Sequence, residues 1–182
     1  MEAAISLVIG LAIIGGIVYL VFRPKGQAGD EGRDAYFYIV AFLGLVILFW
    51  AAADLGRVIL EQQWVTDIYW RGRQDETLRK VSLRLATILV TLPVFAFHWF
   101  KASMKSGEEM DQSSRKNYAV TVLVLSSLVV LGAGTGLVYQ GLNSLLGVGE
   151  GDYRIWAYLV PYATTGVLVW LTHFRVWQGV KG

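Results

Sequence analysis

The sequence predicts an all-α integral membrane protein with about five transmembrane helices, and three observations carry that prediction. Of its 182 residues, 55% are hydrophobic and only 16% are charged, where an ordinary soluble domain carries roughly 25% charge. The apolar residues are gathered into runs of about 20, the length a helix needs to cross some 30 Å of hydrocarbon. Polar, glycine-bearing segments separate those runs and read as turns at the membrane surface. The architecture expected is one N-terminal span, 1–25, followed by two repeated helical hairpins, 35–101 and 118–177, that form a four-helix bundle.

The first run, 3–22, follows Glu2 and stops at Arg23, Pro24 and Lys25. A cleaved leader has a positive start, a shorter apolar stretch and a small-residue cleavage site, so this run reads as a retained span. The second run, 35–60, opens on Tyr36, Phe37 and Tyr38, a cluster suited to a headgroup boundary, and carries Asp54 and Arg57 three residues apart near its far end. Residues 61–82 form a connector of mixed charge, part of which has helical spacing and suits the membrane surface. The third run, 83–100, contains Pro93 and ends in Phe97, His98, Trp99 and Phe100 ahead of Lys101. Residues 102–117 hold Glu108, Glu109, Asp111, Arg115 and Lys116 and form the clearest aqueous loop. The fourth run, 118–146, contains Gly132, Gly134 and Gly136; after a short loop, the fifth, 155–176, carries Pro161 early and Trp170, His173 and Phe174 late.

Counting arginine and lysine on alternate sides places nine cations with the loops after the first, third and fifth runs and seven on the other side. The positive-inside rule then favours a multi-pass protein of the cell membrane with its N-terminus outside and its C-terminus cytoplasmic. An offset of 80 residues superposes Tyr38 on Tyr118, Val40 on Val120 and Gly56 on Gly136, and a connector shorter by five brings His98 onto His173. The two hairpins therefore share one direction, and both histidines fall at the same membrane face.

Pro93, His98 and Trp99, together with the opening Tyr36, Phe37 and Tyr38, resemble an uncharacterised family of multi-span prokaryotic membrane proteins classed as a domain of unknown function. The resemblance covers about 35–177 and leaves the first span outside; in the second half His173 is followed by Phe174 instead of tryptophan, and Pro161 lies farther from its histidine. It implies membrane residence and helical hairpins, and no activity.

His98 and His173 are the only histidines. Two imidazoles from facing helices at one depth are a known ligand set for b-type haem, but an interfacial place beside aromatic and basic anchors is the preferred account of both. A catalytic zinc site would need Glu108, Glu109 or Asp111 as well, at a spacing that matches no zinc motif; no metal is expected. Asp54 with Arg57 is expected as a charge pair close to the far interface. Gly132 and Gly136 form a small-xxx-small pair, expected to be a packing or partner seam, and Gly10, Gly15 and Gly16 read the same way in the first run.

The chain has no cysteine, which removes disulfides, thiolate metal sites and cysteine nucleophiles. Its net charge of +2 lacks the basic clusters that nucleic acid requires, and it contains no phosphate-binding loop, nucleophile elbow or kinase motif. The expectation is a non-enzymatic membrane subunit or scaffold without a cofactor. Its partners are lipid and other integral membrane proteins, or a second copy of itself. The alternative is a b-haem electron carrier ligated by His98 and His173. A third reading, a small transporter or channel, needs polar groups at mid-depth, which are scarce apart from Thr87, Thr91, Ser126, Ser127, Thr164 and Thr165.

Overall fold

A computed structural model describes residues 30–64, 74–103, 112–148 and 153–179. Among them the fold is all-α: α1 is Asp30–Trp64, α2 is Gln74–Ser103, α3 is Gln112–Leu146 and α4 is Tyr153–Gln178. Each is long and apolar enough to cross a membrane. The expected first span, 1–25, lies outside the described residues.

The helices run past the apolar stretches at their polar ends. The expected connector 61–82 gives way to helix at both edges: α1 continues to Trp64 and α2 begins at Gln74. Asp75 and Glu76 in the first turn of α2 complement the positive end of the helix dipole, and Glu76 pairs with Lys80 one turn on at 2.9 Å. Hydropathy misses such turns because it scores their charges against a helix when those charges support one. Likewise α3 resumes at Gln112, inside the stretch read as loop.

The C-terminus of α3 is closed by a Schellman turn. Gly147 adopts φ 65°, its N–H donates to Ser144 O at 3.4 Å, and the Val148 N–H donates to Asn143 O at 2.9 Å. Only glycine takes that backbone conformation without a Cβ penalty.

α1 is apolar on all sides and packs against the other three helices, most extensively on α2 and α4. α3 pairs closely with α4, whereas α2 packs mainly on α1 and turns Leu83, Leu89, Val90 and Phe97 outward. The core has two parts. One, near the start of α1, is built on Tyr38, Phe42, Ala102, Tyr118 and Val122; the other, toward its end, on Ala53, Ala133 and Tyr162. Small residues set the helix spacing: a Cβ at Gly56 would lie 3.0 Å from Pro161 Cβ, and one at Gly166 would lie 2.9 Å from Val130 Cγ2.

Candidate functional site

Two polar clusters occupy opposite ends of the bundle. At the first, α1 brings Tyr38, α2 brings Trp99, α3 brings Tyr118 and α4 brings His173, one large ring from each helix. The Tyr38 and Tyr118 centroids are 5.5 Å apart, Trp99 lies 5.3 Å from Tyr118 and 6.0 Å from His173, and Tyr118 lies 5.5 Å from His173. Such tilted ring pairs add to area burial. Tyr38 and Tyr118 are buried and so is His173.

The polar atoms of this cluster satisfy one another. His173 Nδ1 lies 2.9 Å from Val169 O, one turn back on its own helix. A carbonyl only accepts, so Nδ1 carries the proton; in the neutral ring Nε2 is then the acceptor, and it takes the Tyr118 O–H at 3.0 Å. The Tyr38 hydroxyl donates to Ala102 O at 3.3 Å and so holds α1 to the last turn of α2. Sequence reasoning found Tyr38, Tyr118 and His173 separately but not the bond between the last two, which spans 55 positions.

His98 is placed differently. Its Nδ1 donates to Val94 O at 2.7 Å, and its ring lies 5.8 Å from Tyr36 and 5.7 Å from Phe37 on α1. The two histidines thus stand at the same end of the bundle but turn to different neighbours. Trp99, next to His98 in sequence, is the residue that reaches His173.

At the other end Asp54 sits between two arginines. Asp54 Oδ1 accepts from Arg57 Nε at 2.7 Å and Asp54 Oδ2 accepts from Arg84 Nε at 2.6 Å, while Arg57 Nη1 donates to Glu61 at 2.6 Å. The Asp54 side chain retains only 8% exposure. Two carboxylates and two guanidiniums make a neutral network, the arrangement that lets charge persist near a low-dielectric region. The spacing of three residues placed Arg57 in the sequence; Arg84 was missed because it comes from α2, although an arginine opening an apolar run was its signal.

The glycine pair divides. A Cβ at Gly136 would meet Leu159 of α4 at 2.8 Å, whereas one at Gly132 would meet nothing within 4 Å, and the same is true of Gly134. Gly136 belongs to the α3–α4 contact; Gly132 and Gly134 have open space beside them. Among the described residues no group of three or more histidine, aspartate or glutamate side chains is placed to hold a metal ion, and every buried side-chain nitrogen and oxygen has a hydrogen-bond partner.

The fold and its two end clusters define a helical bundle with four candidate membrane spans. The chain belongs to the family described as a domain of unknown function (DUF5671), whose model matches residues 34–172. The match leaves the first apolar run outside, as the resemblance in the sequence did. No curated protein and no solved structure matches the chain.

Proposed function

We propose that the chain is a non-catalytic, multi-pass membrane subunit that packs with other membrane proteins. Its first apolar run, 3–22, is then a fifth span, with the N-terminus outside and the C-terminus cytoplasmic. The observation that carries this reading is the commitment of the interior polar groups to each other. Asp54 is held by Arg57 and Arg84, and His173 by Tyr118 and Val169. Of the mid-depth hydroxyls, those of Thr87 and Ser126 turn back to carbonyls of their own helices. A transport path needs mid-depth groups aimed at a passing solute, and these are aimed at the protein itself.

Electron carriage by haem is the weaker reading. It needs both imidazoles to face one iron, and the His173 Nε2 lone pair is already used by Tyr118.

The test is purification in mild detergent with three readouts: native complex mass, an oxidised and reduced visible spectrum, and cation flux after reconstitution. The expected outcome is a colourless protein without flux, running as a stoichiometric complex larger than its own detergent-bound monomer. A Soret band lost in both His98→Ala and His173→Ala, or a flux abolished by Asp54→Asn, would overturn it.

A further inference from the structure

We propose that Tyr118 and His173 form a redox-active pair: Tyr118 yields an electron through Trp99 to an oxidant of the lipid peroxyl radical class, while its phenolic proton moves to His173. This goes beyond the reading of the chain as a membrane subunit and rests on it only in taking lipid to surround the bundle.

A phenol gives up an electron readily where its proton leaves in the same step, because an oxidised phenol that keeps its proton is a strong acid. That step needs a base within hydrogen-bond reach. His173 Nε2 is such a base, 3.0 Å from the Tyr118 hydroxyl with its lone pair turned toward it. The product is provided for as well as the reactant. Once protonated, the imidazolium has two N–H donors. Its Nε2–H points back at the phenoxyl oxygen, and its Nδ1–H keeps Val169 O at 2.9 Å with Thr172 Oγ1 at 3.2 Å. The charge it gains lies beside the Trp99 ring, whose centroid is 6.0 Å away, within cation–π range. The proton crosses one hydrogen bond, and no side chain has to turn.

Both partners are buried, so the electron leaves by way of a neighbouring ring. Trp99 is half-buried, and its indole, the next most easily oxidised side chain, lies 5.3 Å from Tyr118. Electrons cross such ring contacts without movement of atoms. Phe97 and Phe100, on either side of it in sequence, are exposed on the outward side of α2, so the oxidant that reaches this face is lipid-soluble. Peroxyl radicals are, and their polar oxygen end rises toward the bundle ends, where the cluster sits. The oxidant takes one electron from the Trp99 indole and a proton from interfacial water, which becomes hydroxide, to end as a hydroperoxide. The Tyr118 O–H bond breaks; its electron refills Trp99 and its proton forms the Nε2–H bond of His173, leaving a neutral phenoxyl radical and an imidazolium. The opposite end of the bundle supplies the comparison. Trp50 and Tyr162 are 5.7 Å apart there, but the ring stacked on Tyr162 is that of Tyr158, a phenol that takes up no proton.

The test uses the full chain in vesicles of unsaturated phosphatidylcholine, a lipid-soluble azo initiator as the source of peroxyl radicals, and freeze-quench electron paramagnetic resonance. The expected result in the parent chain is a neutral tyrosyl radical whose oxygen carries a hydrogen-bonded proton, seen as a hyperfine coupling that disappears in deuterated water. Tyr118→Phe should abolish that signal and Tyr162→Phe leave it unchanged. His173→Gln keeps an acceptor for the Tyr118 hydroxyl but takes no proton. The radical should then form about a hundredfold more slowly, the lower end of what a positioned base contributes. Trp99→Phe keeps a ring but not an oxidisable one and should slow it as well. A purely structural link between Tyr118 and His173 predicts otherwise. The proposal is overturned by a radical that survives Tyr118→Phe, lacks the exchangeable proton, or forms at the parent rate in His173→Gln or Trp99→Phe. Vesicle flotation keeps the two levels apart: a chain that does not float with the lipid overturns the membrane reading itself, whereas one that floats and gives no radical overturns only the redox pair.

Discussion

The bond between Tyr118 and His173 joins α3 to α4 where neither residue has water to fall back on. Tyr118→Phe removes the donor and leaves Nε2 of a buried imidazole unpaired, which costs about 1–3 kcal/mol for a neutral acceptor. Thermal unfolding in detergent should show the loss, and adding His173→Leu should cost less than the sum of the single changes, because the two groups fail together. At the opposite end Asp54→Ala strands two arginines, one of which keeps Glu61. Breaking a buried pair from one side costs about 3–5 kcal/mol, and with the arginines partly exposed the lower figure is expected. If Asp54→Ala melts with the parent, the network has no structural weight. Arg84→Gln should fall between, since Arg57 still pairs with Asp54.

At the scale of elements, helix ends and helix contacts make different demands on glycine. Gly147→Ala places a Cβ on a left-handed residue and should cost about 1 kcal/mol by frayed capping, measurable as faster amide exchange at Val148 and in the last turn of α3. Gly166→Ala acts by collision with Val130 Cγ2, the tip of a branched side chain with few alternative rotamers. Overpacking of that kind costs about 1–3 kcal/mol, and unchanged thermal stability in Gly166→Ala would show that α3 and α4 can slide apart freely. The four described spans were legible because their apolar runs are long and their breaks polar. Their water-side turns were not, because Glu76 and Lys80 look like loop to hydropathy and like a helix only to spacing. The groups that complete the polar clusters across helices, Arg84 for Asp54 and Tyr118 for His173, depend on register between helices, which no local pattern encodes.

The whole molecule is asymmetric in how its helices are held. α1 contacts all three other helices while Leu43, Ile47 and Trp50 stay exposed, α3 and α4 grip each other, and α2 leans on α1 with most of its apolar length turned outward. If that side faces lipid, Leu89→Cys and Val90→Cys should resist water-borne maleimide and react with a lipid-soluble thiol reagent, while Ser82→Cys, which is exposed near the polar start of α2, should react from water. Reactivity of Leu89→Cys from water would place α2 along an aqueous surface.

The two end clusters also differ in when they can form during synthesis. Asp54, Arg57, Glu61 and Arg84 lie on α1 and α2 alone, so their charges neutralise one another once the second of these helices leaves the insertion machinery. The ring cluster waits for His173, near the C-terminal end of the last helix. Until that turn is made, the Tyr118 hydroxyl has no imidazole to meet, so the α3–α4 contact is the last of the polar links to close.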